Sequence, residues 1–309
     1  MKKILTIIGS TGLGKTDLAI KIAKKINGEI IGLDSRQVYK YMPIGTAQPS
    51  EAELRDVPHH LIGFRDPWQS ISAGEYAKMV FERVCEIKDR NRYPIICGGA
   101  GLYYMAITKG IFLDSYSDSE LRKKLEVQYE ENPISLLNRL QIIDPKYGKI
   151  VHINNKKRLI RALEIFELTG YPPTEHFENQ KKNENQLLDT YAVFLTLDKN
   201  LHLDRIKTRT YQMLKNGWIE EVKNLLSLEK EKQLHLPALD SIGYKQIRDY
   251  LNGDIDIDTL KELIITKTRQ YARKQNKWFK KENIDLTVDL TNLNRINFDD
   301  YIYDIYKTL

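Results

Sequence analysis

Over the first 110 positions, short unbroken apolar runs alternate with segments whose apolar side chains recur every three to four residues. The runs are Ile4-Leu5-Thr6-Ile7-Ile8, Gly28-Glu29-Ile30-Ile31-Gly32-Leu33 and Tyr93-Pro94-Ile95-Ile96-Cys97. They lack polar alternation, which predicts strands covered on both faces. Residues 17–23 and 73–92 carry helical spacing between them. Strand and helix in alternation predict a parallel sheet with crossover helices, and ligands of such sheets bind at the carboxyl ends of the strands.

The pattern changes from about residue 113 to 190. Residues 120–132, 134–143 and 156–169 read as helices, while Tyr171-Pro172-Pro173 and Gln180-Lys181-Lys182-Asn183-Glu184-Asn185 read as loop. Tyr191-Ala192-Val193-Phe194-Leu195-Thr196-Leu197 is again a core strand, followed by helices over 199–216, 217–228 and 258–281. A helical block between strands of one sheet reads as an insertion. The division is therefore 1–112 as the first part of a P-loop core, 113–190 as an inserted helical subdomain, and 191–309 as core completion with C-terminal basic helices. The fold class is α/β: a P-loop NTPase-like parallel sheet core with an inserted helical subdomain and C-terminal helices.

The first strand runs into Gly9-Ser10-Thr11-Gly12-Leu13-Gly14-Lys15-Thr16, a complete G-x-x-x-x-G-K-T loop, and then into a helix. That context gives the motif its mechanism. Glycines let the backbone N–H groups turn inward, and the helix N-terminus adds positive potential for an anion. Lys15 would neutralise a terminal phosphate, and Thr16 would offer a hydroxyl to Mg²⁺. The loop thus handles a phosphorylated compound. It does not by itself distinguish a nucleotide such as ATP from another phosphate ester, nor name the reaction.

Charge adds a partner. The net charge is +6, and 261–281 hold eight Lys/Arg (Lys261, Lys267, Arg269, Arg273, Lys274, Lys277, Lys280, Lys281) against Glu262 alone. Tyr271, Trp278 and Phe279 interleave with them, and Asn154-Asn155-Lys156-Lys157-Arg158-Leu159-Ile160-Arg161 forms a second basic cluster. Basic clusters with aromatic neighbours are the electrostatic footprint of nucleic-acid binding, and unstacked RNA bases suit the rings. Two cysteines, Cys85 and Cys97, on a predicted helix and strand suggest reduced thiols in a cytoplasmic protein. No run approaches the ~20 apolar residues of a membrane span, and the apolar run after Lys2-Lys3 is too short for a signal peptide.

Asp34-Ser35-Arg36-Gln37 follows the second strand. Asp34 reads equally as a carboxylate that takes a substrate proton and as the N-cap of a helix starting near Arg36. Arg205 and Arg209 share a helix face, as an anion clamp or as ordinary surface charge. His59-His60 point to opposite faces of an extended segment, so no metal is assigned to them. Tyr103-Tyr104 read as core or pocket wall.

Taken together, these segments resemble the tRNA dimethylallyltransferases. The resemblance is carried by the phosphate loop, by Asp34-Ser35-Arg36-Gln37-Val38-Tyr39-Lys40, Ile44-Gly45-Thr46-Ala47 and Pro58-His59-His60-Leu61, and by Gly98-Gly99 with Gly101-Leu102-Tyr103. It continues through Lys157-Arg158-Leu159-Ile160-Arg161-Ala162-Leu163-Glu164, Ile242-Gly243-Tyr244-Lys245-Gln246 and Thr268-Arg269-Gln270-Tyr271-Ala272-Arg273-Lys274-Gln275.

The resemblance implies transfer of the dimethylallyl group of dimethylallyl diphosphate to N6 of adenosine 37 in tRNAs with A36-A37, with Mg²⁺; a monomer with no membrane partner is expected. It implies Asp34 as general base, Thr11 as a residue orienting the amine, and Gly9 to Thr16 with Arg209 as the diphosphate site. Asp34, Ser35, Arg36, Gln37, Ala100, Arg122, Lys156, Lys157, Arg158, Leu159, Ile160, Gly243, Tyr244, Lys245 and Gln246 match tRNA-contacting stretches. Ala100 stands where the family usually has Thr, while Ser10 and Ile153 replace usual prolines. The alternatives are an adenylate (AMP/ATP) isopentenyltransferase, a small-molecule P-loop kinase, or a non-catalytic RNA-binding protein with a relic loop.

Overall fold

In a computed structural model of the chain, residues 3–110, 118–180, 187–292 and 298–308 are described. The elements are β1 (Ile4–Gly9), α1 (Lys15–Ile26), β2 (Gly28–Leu33), α2 (Glu51–Asp56), β3 (His59–His60), α3 (Ala73–Asp89), β4 (Tyr93–Gly98) and α4 (Gly101–Lys109). Next come α5 (Ser119–Glu131), α6 (Pro133–Ile143), α7 (Pro145–Gly148), α8 (Lys156–Thr169) and α9 (Pro173–Gln180). The chain continues with β5 (Thr190–Thr196), α10 (Lys199–Lys215), α11 (Trp218–Lys232), α12 (Tyr244–Leu251), α13 (Ile257–Phe279), β6 (Leu286–Asp289) and α14 (Phe298–Thr308).

Two compact units result, one of 1–71, 78–104 and 188–309, the other of 72–77 and 105–187. The first unit is built on a sheet ordered β3-β2-β4-β1-β5-β6 with every pair parallel. All six residues of β1 and of β2 are buried, as runs without polar alternation require. On one face Leu5 and Ile7 pack with Leu18 and Ile22 of α1 and with Ile302 and Tyr306 of α14. β2 also buries Glu29. His60 Nε2 lies 2.6 Å from its carboxylate, Arg90 donates at 2.7 Å, and Arg92 lies 3.3 Å away. Those contacts hold the carboxyl below its ordinary value against the upward push of burial.

In the second unit, Leu125, Leu136, Leu140, Leu159, Ile160 and Leu163 form the core. Glu164 of α8 is fully buried and accepts from Arg122 at 3.0 and 2.9 Å, from Arg161 at 2.7 Å and from the Asp118 N–H at 3.1 Å. Asp144 accepts from the Tyr147 and Thr174 N–H groups and from the Thr174 hydroxyl, which anchors α7 and the start of α9.

Several short elements escape periodicity: α2, β3, α4, α7, α12, β6 and α14, along with α9, which begins at Pro173 inside a segment read as loop. Pro is well suited to the first helical position because its missing N–H has no partner there anyway. The start of the expected insertion, 113–117, and 181–186 of the expected polar loop lie outside the described residues.

Candidate active site

β1 ends at Gly9, and the loop after it reaches α1 through Gly12 and Gly14, at φ 81° and 78°. Both lie in the left-handed region that glycine adopts freely. The Lys15 ammonium folds back and donates to the Ser10 carbonyl at 2.8 Å. Burial lowers its pKa to about 8, against the pull of Cys97 and the Asp34 carboxylate and with a further push from Arg209. Burial drives the neighbouring Cys97 thiol the other way, up to about 12, so it is protonated at neutral pH.

Asp34 follows β2 directly. Its Oδ1 accepts from the N–H of Arg36 at 2.8 Å and of Gln37 at 3.3 Å, closing a turn. The helix expected from Arg36 does not form; the next four residues are bend and turn. The capping reading thus holds in chemistry though not in element type, and it engages one oxygen. Oδ2 carries neither bond. The carboxylate acts electrostatically on Lys15, Arg209 and Tyr271, and all four residues line the same cleft. Arg209 of α10 donates to Thr11 Oγ1 at 3.1 Å. Thr11, Lys15, Thr16, Asp34 and Arg209 line one cleft of about 1660 Å³ at the carboxyl edge of the sheet.

The donors of this cleft suit Mg²⁺ only as an ion that would take most of its oxygens from a bound phosphate and water. Thr16, half-buried in the first turn of α1, lines it with a hydroxyl oxygen. Among the described residues no group of three or more His, Cys, Asp or Glu could hold a metal. The protein would give one or two oxygens, and phosphate and water the rest, which is how Mg²⁺ is usually held. His59 and His60 have separate partners, the Val57 carbonyl at 2.8 Å and Glu29.

Sequence-matched contact residues fall into two groups. Gln37 lines the cleft and donates to the Thr46 and Ala47 carbonyls at 3.2 and 2.6 Å, bracing the 43–48 loop. Ser35 and Arg36 are half-buried in the same wall. Lys245, Lys157 and Arg158 are exposed, and Lys156 pairs with Glu130 at 2.6 Å. Four expectations are corrected at the side-chain level. Leu159 and Ile160 point into the core of the second unit at 0% and 3% exposure, because α8 turns its apolar face inward. Tyr244 is 1% exposed, and its hydroxyl donates to Glu221 at 2.7 Å. Glu221 in turn accepts from the N–H groups of Ile44 and Gly45 at 2.6 and 2.9 Å. Gln246 caps α12 by accepting from the Gly243 N–H at 2.7 Å. Leu159 and Ile160 thus serve the core of the second unit, Tyr244 the wall of the cleft and Gln246 the start of α12, and all four are buried. Arg122 binds Glu164 with both carboxylate oxygens, and Ala100 is buried beside the Leu33 carbonyl to which its N–H donates at 3.0 Å.

Two residues at the site went unread. His202 Nε2 lies 2.8 Å from the Thr11 carbonyl, and Gln275 joins the Thr11 N–H at 3.0 Å to the Gly99 carbonyl at 2.8 Å. A weak signal existed for both: His202 shares a helix face with Arg205 and Arg209, and Gln275 closes the 268–275 segment.

A parallel sheet carrying a G-x-x-x-x-G-K-T loop at its edge, with a carboxylate in the same cleft, defines the class as an α/β enzyme of P-loop-like fold. The chain belongs to the IPP transferase family, whose model matches residues 37–282. It is 41% identical over 281 residues to the tRNA dimethylallyltransferase of Petrotoga mobilis, covering 91% of each chain. It is 40% identical over 287 residues to that of Acetivibrio thermocellus, covering 92% of this chain and 91% of the relative. Among solved structures, the full-length tRNA isopentenylpyrophosphate transferase of Bacillus halodurans superimposes with a TM-score of 0.70 at 33% identity, covering 100% of this chain and 95% of that one. A eukaryotic dimethylallyltransferase acting on tRNA gives 0.80 at 27% identity, covering 99% and 78%.

Proposed function

We propose that the protein transfers the dimethylallyl group of dimethylallyl diphosphate to N6 of adenosine 37 in tRNAs with A36-A37, releasing diphosphate. The observation that carries this reading is the convergence of Asp34, Thr11, Lys15 and Arg209 on one cleft. An exocyclic adenine amine is a poor nucleophile because its lone pair is delocalised into the ring. As the N6–C1 bond forms and the C1–O bond to diphosphate breaks, the amine proton passes to Asp34. A base so placed contributes roughly 10² to 10⁴ in rate. Arg209, Lys15 and the loop N–H groups meet the negative charge gathering on the leaving diphosphate. Mg²⁺, held by Thr16 and the diphosphate, would supply further charge neutralisation. The target base must leave its stack to enter the cleft, at a cost of about a few kcal/mol. The exposed cations of α13 support a polyanionic acceptor over free AMP, which needs no such surface.

The test is to incubate the protein with Mg²⁺, dimethylallyl diphosphate and unmodified tRNA and to analyse the nucleosides by mass spectrometry. Dimethylallyladenosine is expected. Asp34→Ala is expected to lower turnover by about 10² or more with tRNA affinity nearly intact. Prenylation of AMP without tRNA, phosphoryl transfer from ATP, or wild-type turnover by Asp34→Ala would overturn the reading.

A further inference from the structure

We propose that His202 and Gln275 are positioning residues that, with Arg209, lock Thr11 by every hydrogen-bonding group it has. Thr11 sits beside Gly12 in a loop that glycine leaves pliable. Its N–H donates to Gln275 Oε1 at 3.0 Å, its carbonyl accepts from His202 Nε2 at 2.8 Å, and its Oγ1 accepts from Arg209 at 3.1 Å. All three partners come from α10 and α13; none belongs to the loop itself. Because Oγ1 accepts from Arg209, the hydroxyl proton remains for donation into the cleft.

The two new partners are fixed in their turn. Gln275 is buried, and its Nε2 donates to the Gly99 carbonyl at 2.8 Å, so one amide ties the loop after β1 to the turn after β4. A Cβ on Gly99 would stand 2.4 Å from that nitrogen, so the approach needs glycine. His202 is buried, and bonding to a carbonyl requires its Nε2 to carry the proton. Burial lowers its pKa against the upward pull of the bond to Thr11, with Lys15 and Arg205 adding to the lowering, which favours the neutral ring beside the phosphate loop.

A consequence separates this arrangement from general support of the fold. The Thr11 N–H is engaged by Gln275 and is withheld from the anion cradle, so the clamp serves the amine side of the reaction and not the grip on diphosphate. The inference rests on the function proposed above. The experiment is steady-state kinetics of prenyl transfer to tRNA for His202→Leu, His202→Gln, Gln275→Ala and Gln275→Glu, alone and in a Thr11→Val background. His202→Leu and Gln275→Ala are expected to lower kcat about 10- to 100-fold, with the donor KM and tRNA Kd changed by no more than about threefold. His202→Gln, whose amide nitrogen reaches close to the Nε2 position, should recover most of that loss. Gln275→Glu, which keeps the acceptor for Thr11 and loses the donor to Gly99, should fall between. With the Thr11 hydroxyl already absent, each variant should cost no more than about twofold further, since groups that act through one another are not additive. Should either truncation fail to fold, the Gln and Glu variants decide. Full additivity in the Thr11→Val background, or a donor KM rising in step with the fall in kcat, would overturn the clamp while leaving the enzyme's activity established. An inactive wild-type protein would instead sink the proposed function.

Discussion

Lys15 and Asp34 show how a single side chain here serves two demands. Lys15 donates to its own loop and faces the cleft, and its pKa of about 8 reflects burial above all, with Arg209 adding to it and Cys97 and Asp34 opposing it. An anionic donor would return that pKa toward its ordinary value, so binding takes up a proton wherever the free ammonium is partly lost. The donor KM is therefore expected to be flat below pH 8 and to rise above it, by at most about tenfold per pH unit. Donor KM measured between pH 7 and 9.5 checks this, and a KM that fell above pH 8 would contradict it. Asp34 fixes its own position through Oδ1 and the two N–H groups beyond it, leaving Oδ2 for chemistry. Its place at a strand tip was legible in sequence. That its Oδ1 closes a turn without starting a helix was not, since this depends on how the chain folds back beyond Arg36.

At the scale of elements, α8 and α13 illustrate what periodicity does and does not disclose. Both follow a plain helical pattern and carry basic clusters, and both were legible as helices. Yet the cluster at the start of α8 divides: Lys157 and Arg158 stay outside while Leu159 and Ile160 enter the core. Contiguity in a motif says nothing of face. Glu164, one more turn along, is the buried anchor joining α5 to α8. Removing both guanidiniums, in an Arg122→Ala/Arg161→Ala double variant, leaves that buried carboxylate with no cation and only the Asp118 N–H, and is expected to cost about 3–5 kcal/mol. Its paired cations hold the carboxyl below the usual carboxylate range against burial, so its contribution is present above that range and fades as pH falls through the lower folded value. The deficit of the double variant in denaturant titrations should accordingly be full at pH 7 and shrink below about pH 4. A deficit that persisted undiminished in acid would mean the arginines act through packing.

Over the whole molecule, each compact unit presents its own exposed cations: Lys157 and Arg158 in the helical unit, and Lys267, Arg269, Arg273, Lys274, Lys277, Lys280 and Lys281 in the sheet unit. No helix among the described residues is long and apolar enough to cross a membrane. If about half of these cations meet tRNA phosphates, the logarithm of affinity should fall against the logarithm of salt with a slope of about −3 or steeper. Filter binding from 50 to 300 mM salt measures it, and a flat response would assign recognition elsewhere. Charge reversal at Lys274 and Lys277 together should flatten the slope by about two if both meet phosphates.

The sequence alone determined the parallel sheet, the phosphate loop at its edge and the helical character of the insertion. Each of these is a local matter, set by runs of apolar residues, glycine conformations and helical spacing. Tertiary structure decided which members of a contiguous motif face outward and which build walls, as with Lys245 against Tyr244. It also decided that residues 191 and 264 positions beyond Thr11 would close on it. Contacts of that kind depend on how α10 and α13 pack over the sheet, and no pattern confined to neighbours along the chain encodes them.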